Sequence, residues 1–255
     1  MILGVQLYTL RNYLRNQSDF PAVFERVKAM GAETVQVSGT GPFDSKFLGK
    51  LAKSAGLSVC ATHSPFARIR DDIERLAQEH LDFGCPQIGV ATLPSEYGKK
   101  NADDLKRFAE IINGAAYKLK SYGMTVAYHN HWFEFNKIGD KTVFDALFES
   151  FDSSVEFIPD TYWLKLKNVD PAAFIEKLKG RISVLHLKDY RKRLFVPMMK
   201  PAGDGVLDFK AIMQSAETCG VKAAVAELDI SKDPFGDTEK SLKYVGKIMD
   251  ELRSV

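Results

Sequence analysis

What this sequence lacks narrows it considerably. It has three cysteines, Cys60, Cys85 and Cys219, widely spaced and odd in number. They form neither a disulfide framework nor a paired-cysteine metal clip. Cys60 and Cys219 lie in or beside apolar runs and read as buried thiols. No GxGxxG turn and no GxxxxGK[ST] loop is present, which disfavours the backbone cradles used for nucleotide cofactors. A large charge of one sign is missing as well: 35 Lys and Arg against 33 Asp and Glu leave a net charge of +2, whereas a duplex-binding domain carries a basic stripe. The short clusters Lys99-Lys100 and Arg191-Lys-Arg193 do not make one, and the first reads as solvated loop charge. The start, Met1-Ile-Leu-Gly-Val-Gln6, has no basic n-region followed by a long apolar segment. No apolar run reaches the length of a membrane span. The expectation is a cytoplasmic globular protein with neither nucleic acid nor membrane as partner.

What is present is a repeated punctuation. A glycine is followed, within a few residues, by a β-branched apolar run at Gly31, Gly56, Gly84, Gly123, Gly180 and Gly220. Glycine just past a helix takes the left-handed conformation at little cost, so each instance reads as a helix-to-strand turn. The stretches before these glycines have helical spacing, as in Phe20, Val23, Phe24, Val27 and Met30, with Ser18 as a cap and Pro21 in the opening turn. Met1–Tyr8 and Val155–Asp160 complete eight strands alternating with eight helices, and no interdomain linker interrupts residues 1–255. Strict alternation demands a parallel sheet with right-handed crossovers. The size fits one closed (β/α)8 TIM barrel, an α/β fold; an open doubly wound sheet is the competing architecture.

Four of the strands end in residues able to hold a metal: Thr125 to His129 and His131, Val155 to Asp160, Ile182 to His186, and Ala223 to Glu227. The carboxyl ends of barrel strands are where such enzymes keep their chemistry. His129 and His131, two apart, point to one side of their strand, and Asn130 to the other. A His/Asp/His/Glu set is of borderline softness and suits Mn²⁺, Co²⁺ or Zn²⁺, with Mg²⁺ admitted. Each residue alone also has a plain structural account, a buried histidine bonded to backbone or an aspartate capping a turn, but an acidic residue after Ala-Ala-Val-Ala is seldom buried without a partner. Lys188 faces the same way as His186 and is a candidate proton carrier. His63 ends the third strand and can line the mouth, whereas His80, in a helix beside Glu79, reads as a surface residue. Tyr162-Trp163 and Trp132-Phe133 place aromatic rings near the proposed ion, and Pro201–Gly205 reads as a flexible connection.

The segments Gly4–Arg11, Tyr128-His-Asn-His-Trp-Phe-Glu-Phe135, Asp160-Thr-Tyr-Trp163, Leu185-His-Leu-Lys-Asp189, Gly203-Asp-Gly205 and Ala226-Glu-Leu-Asp229 resemble the sugar phosphate isomerase/epimerase group of the xylose isomerase-like barrel superfamily. The likeness runs over essentially the whole chain. It implies a (β/α)8 barrel with a divalent metal at its C-terminal mouth, held by Asp160, His186, Glu227 and a strand-five residue, here His129 or His131. Ketose 3-epimerases of the superfamily carry a glutamate on strand five as one of two bases. Its replacement by histidine resembles inosose dehydratase-like members and keto-sugar lyases, and Glu134 lies further along. The resemblance therefore implies a metal-dependent isomerase or epimerase acting on a polyhydroxy ketone or aldose through an enediolate, with Glu227 or a strand-five histidine, His131 with His129 on the metal, moving the proton. Keto-sugar or inosose dehydration by β-elimination is the alternative, and a non-catalytic sugar-binding barrel the second. An abasic-site endonuclease would need more His and acidic ligands than five histidines and a near-neutral charge supply. Candidate substrate contacts are Gln6, His63, Trp163 and Arg191. The expected partner is a small sugar or sugar derivative, and a homo-oligomer is compatible with this reading.

Overall fold

The computed structural model describes residues 1–97 and 102–254; the Lys99-Lys100 pair falls outside the described residues. Eight parallel strands are β1 (Ile2–Gln6), β2 (Thr34–Val37), β3 (Ser58–Ser64), β4 (Gln87–Val90), β5 (Thr125–His129), β6 (Val155–Ile158), β7 (Val184–Leu187) and β8 (Ala223–Ala226). Their order is β6-β5-β4-β3-β2-β1-β8-β7. Between β6 and β7 the sheet is closed by bridges pairing Phe157 with Ile182 and Asp160 with His186. There Phe157 N donates to Arg181 O at 2.8 Å and His186 N to Pro159 O at 2.9 Å. The result is a TIM barrel, as the alternation of elements demands.

Side chains alternate between the barrel interior and the helix layer. Leu3, Val5, Val35, Val126, Phe157 and Leu185 belong to the large core beneath the helices. A separate cluster of Ala61, Ala127, Ile158, Val184, Ala223 and Val225 plugs the interior. These small residues leave little width: a Cβ on Gly4 would stand 2.2 Å from Thr34 O. β3 reaches this layer through a bulge, since Val35 pairs with Val59 but Gln36 with Ala61. The extra residue, Cys60, turns Ala61 and then His63 inward. Cys60 is consequently only partly covered, while Cys85 and Cys219 are buried.

The helices depart from expectation in number, with ten α-helices among the described residues rather than eight. The fourth and sixth strands are each approached or followed by a split helix: Phe66–Asp71 precedes Ile73–Asp82, and Thr161–Leu166 is followed by Pro171–Lys177, which Asp170 caps and Pro171 opens. His80 is not on the surface. Helix Ile73–Asp82 turns it onto β3, where it is 2% exposed, with Nε2 2.8 Å from Thr62 Oγ1 and Nδ1 2.7 Å from Leu76 O. No helix among the described residues is long and apolar enough to cross a membrane.

Candidate active site

Above the apolar plug the inward side chains become polar. His129 ends β5, Asp160 follows β6 and caps helix Thr161–Leu166, His186 lies in β7, and Glu227 follows β8. The closing bridge sets Asp160 beside His186. His129 Nε2 is 3.5 Å from Asp160 Oδ2, His186 Nδ1 is 3.8 Å from the same oxygen, and His186 Nδ1 is 2.8 Å from Glu227 Oε2. One ligand atom from each of these four buried residues lies within 4.8 Å of all the others.

The bonds made by the other ends of these side chains fix which atoms point inward. His129 Nδ1 donates to Ala91 O at 3.1 Å, leaving the Nε2 lone pair for the centre. His186 Nε2 donates to Gln36 Oε1 at 2.7 Å, leaving Nδ1. Asp160 Oδ1 accepts the N–H groups of Tyr162 and Trp163 at 3.0 and 3.3 Å, leaving Oδ2. Asn130, on the far side of β5 from the histidines, accepts Asp160 N–H at 3.3 Å. His129 Nε2, Asp160 Oδ2, His186 Nδ1 and Glu227 Oε2 are all buried without an aligned hydrogen bond. Lys188 and His186 give the two carboxylate oxygens ion-pair contacts, and four donor atoms aimed at one point fit a divalent cation. Two imidazole nitrogens and two carboxylate oxygens can hold one.

Lys188 is the counter-charge. It is 1% exposed, with Nζ 2.8 Å from Asp160 Oδ2, 2.9 Å from Glu227 Oε2 and 3.2 Å from Asp229 Oδ2. Burial alone would lower its pKa; the three carboxylates outweigh that and raise it. Burial likewise pushes the carboxyls of Asp160 and Glu227 up, and Lys188 with the histidines outweighs it and holds both well below the usual range. Burial lowers His186, but Glu227 and Asp160 reverse the sign and raise it. For His63 and His131 the upward pull of Glu227, joined at His131 by Asp160, is outweighed. Burial first, then neighbouring histidines and, for His131, Lys188, lower both, His131 to about 3.

A cavity of about 840 Å³ opens over this centre, lined by His63, His129, His131, Trp163 and Glu227 among others. His63 Nδ1 is 3.2 Å from Ser38 Oγ. His63 Nε2, His131 Nδ1 and Trp163 Nε1 are buried and unpartnered. Two expected substrate contacts are not brought to the cavity wall. Gln6 is fully buried, its Oε1 accepting Tyr8 N–H at 3.3 Å, and is not part of the lining. Arg191 stands exposed on an antiparallel hairpin, Asp189–Arg193 with Val196–Lys200, whose second strand supplies the lining residues instead. Trp132 is 44% exposed and also outside the lining. Glu134 turns away from the cavity: it is fully buried and accepts Tyr128 OH at 2.6 Å and His131 N–H at 2.8 Å. Nor is Pro201–Gly205 a loose connection. The Asp189 carboxylate accepts N–H groups of Gly203, Gly205, Val206 and Leu207 at 2.8–3.1 Å and pins it. Gln36 escaped the sequence reading; a glutamine inside the buried Thr34-Val-Gln-Val37 run was its one signal.

The sequence profile of the xylose isomerase-like TIM barrel matches residues 24–248. The chain belongs to this family. Among curated relatives, an inosose dehydratase of Lacticaseibacillus casei is 27% identical over 170 residues, 58% of this chain and 56% of that protein, so the chain spans about half the length of that relative. An inosose dehydratase of Clostridium beijerinckii is 26% identical over 271 aligned positions, 91% of this chain and 90% of that protein. Among solved structures, a sugar phosphate isomerase/epimerase from Parabacteroides distasonis superposes with a TM-score of 0.81 at 25% identity, over 95% of this chain and 92% of the other. What these relatives share with this chain is the xylose isomerase-like TIM barrel.

Proposed function

We propose that this chain is a divalent-metal-dependent isomerase of a polyhydroxy ketone or aldose, with Glu227 removing the proton from the carbon beside the carbonyl. The observation that carries this reading is the convergence of His129, Asp160, His186 and Glu227 on one point at the floor of the cavity. A divalent cation bound there supplies Lewis-acid polarisation of the substrate's carbonyl and neighbouring hydroxyl. Glu227 is the carboxylate of this set that also lines the cavity. Asp160 has one oxygen committed to helix N–H groups and the other to the centre, and His129 has both ring nitrogens engaged. One carboxylate base suits proton transfer on a single face of an enediolate, as aldose–ketose isomerisation requires. Lys188, expected as a proton carrier, is outside the cavity lining and instead holds Glu227 ionised from 2.9 Å. Neutral His63 and His131 offer lone pairs or N–H groups to sugar hydroxyls.

Dehydration is the second reading, favoured by the histidine in the strand-five position and by the likeness to inosose dehydratases over most of the chain. It begins with the same proton removal and continues with loss of a β-oxygen, which leaves as water with the proton that Glu227 has taken. Incubating the metal-loaded protein with keto-sugars, aldoses and inososes in D₂O, followed by NMR, tests both. Isomerisation gives deuterium beside the carbonyl without loss of water, and dehydration gives an enone or its diketone. Neither exchange nor a dehydrated product in any member of the panel refutes both. Glu227→Gln should lower the rate of exchange about 10²–10⁴-fold while the barrel stays folded.

A further inference from the structure

We infer that His63 is not a fifth ligand of this centre but the hydrogen-bond donor to the substrate's carbonyl oxygen, with Ser38 setting its tautomer. The inference rests on the reaction proposed above and assigns a group which that reading leaves open.

The chain builds a place for this ring. The bulge at Cys60 turns His63 inward at the end of β3. On the neighbouring strand His63 pairs with Gly89, where a Cβ would stand 2.9 Å from His63 Cδ2. The missing side chain lets the imidazole lie across β4, against the rings from β5 and β7. Its ring centre is 5.1 Å from that of His129 and 5.5 Å from that of His186. Three ring nitrogens on the cavity wall are buried without a partner, those of His63, His131 and Trp163. Among the described residues, His63 alone of the three stands against both histidines of the centre.

What each histidine meets at its outer end decides what it offers at its inner end. His129 Nδ1 faces Ala91 O, and His186 Nε2 faces Gln36 Oε1. Carbonyl oxygens only accept, so each ring carries its hydrogen there and turns a lone pair to the centre. His63 Nδ1 instead faces a hydroxyl, Ser38 Oγ, at 3.2 Å. Ser38 directly follows β2 and is 7% exposed; among the described residues, His63 is its sole side-chain partner. A hydroxyl can donate, which leaves the hydrogen of a neutral imidazole on Nε2. The inner end agrees with that tautomer. No nitrogen of His63 joins the four atoms that lie within 4.8 Å of one another, so a lone pair there would have no ion to hold. An N–H there meets the substrate oxygens drawn to the centre. Of these the carbonyl oxygen can only accept, and it gains charge as Glu227 takes the neighbouring proton. A fixed donor aimed at such an oxygen lowers the barrier more than it tightens ground-state binding.

Three measurements test this. The full chain is dialysed against EDTA at about pH 8, where an ordinary imidazole is uncharged, and long-range ¹H–¹⁵N NMR reads its tautomers. The signal missing from His63→Gln is that of His63. Its hydrogen should sit on Nε2, and Ser38→Ala should shift its Nδ1 resonance. Titration with Mn²⁺ should give His63→Leu the Kd of the wild type, since losing even the outer partner of a true ligand costs about 10–100-fold. In the D₂O assay, with the sugar that exchanges fastest, His63→Leu should lower kcat about 10²–10³-fold, as loss of one oxyanion donor does, with KM nearly unchanged. His63→Gln keeps an N–H and should recover part of that loss. Ser38→Ala should fall roughly tenfold, the scale of one hydrogen bond. A hydrogen on Nδ1, a Mn²⁺ Kd raised about tenfold or more, or a higher KM at unchanged kcat overturns the inference and leaves the reaction standing. Should His63→Leu fail to fold, the wild-type tautomer and the Ser38→Ala rate decide between the same outcomes. If the wild type exchanges with no sugar, the inference falls together with the proposed reaction.

Discussion

Replacing Lys188 with methionine removes the cation that three buried carboxylates share. Its Nζ lies 2.8 Å from Asp160, 2.9 Å from Glu227 and 3.2 Å from Asp229, with 1% of the residue exposed. Methionine replaces most of the aliphatic stem, so the cavity left behind is small and the change is chiefly one of charge. Removing one partner of a buried ion pair costs about 3–5 kcal/mol, because the other is left buried and unpaired. For a chain of this size about 1 kcal/mol corresponds to roughly 2–4 °C in Tm. The variant in EDTA should therefore melt roughly 6–20 °C below the wild type. A divalent cation at the His129/Asp160/His186/Glu227 centre neutralises two of the same carboxylates. Any cation at about a hundred times its Kd stabilises a protein by about 2.7 kcal/mol; in the variant it also relieves the uncompensated charge. Excess Mn²⁺ should thus raise the Tm of Lys188→Met by more than that of the wild type and narrow the gap between them. Scanning calorimetry and urea midpoints with EDTA and with Mn²⁺ supply the four values needed. A variant within about 1 kcal/mol of wild type in EDTA, on the scale of an exposed pair, would refute the charge argument, as would equal Mn²⁺ shifts in both proteins.

Further outcomes follow from individual side chains. Asp160→Asn and Asp160→Ala should both lose metal on dialysis, measured by elemental analysis. The alanine variant should be less stable by a further ~1 kcal/mol in urea, because asparagine keeps an oxygen for Tyr162 and Trp163 N–H; equal stabilities would deny the cap. Burial raises the Glu134 carboxyl from 4.5 to about 7 against the bonds from Tyr128 and His131. A pKa raised on folding gives stability that is full below the unfolded value and lost as pH rises through the folded one. Glu134→Gln should accordingly gain on the wild type by on the order of 3 kcal/mol between about pH 4.5 and about pH 7, at ~1.4 kcal/mol per unit. His80, lowered to about 4 by burial, loses stability on acidification, but equally in both proteins, so it cancels from the difference. A constant gap in urea stability across that range would show that Glu134 does not titrate there.

Much of this molecule was legible from the chain alone, for a definite reason. In a TIM barrel the catalytic face is reached by continuing each strand one or two residues past its apolar run, so His129, Asp160, His186 and Glu227 announce themselves by position. The glycine-to-strand punctuation likewise marked six of the eight parallel strands, because a left-handed glycine and a β-branched run are local events. What the sequence could not show is what lies across the barrel from each residue. Gln36 bonds His186 from 150 positions away, and Asp189 gathers a loop up to 18 residues ahead. His80 looks like a surface histidine until the packing of its helix on Thr62 is known. Arg191, four residues past the end of β7, is carried outward by a hairpin whose pairing puts Met198 opposite it and at the cavity. Local pattern decided the strands and the polar side chains at their ends; tertiary structure alone decided which atoms of those side chains are spent on neighbours and which remain free, because that depends on contacts with no fixed separation along the chain.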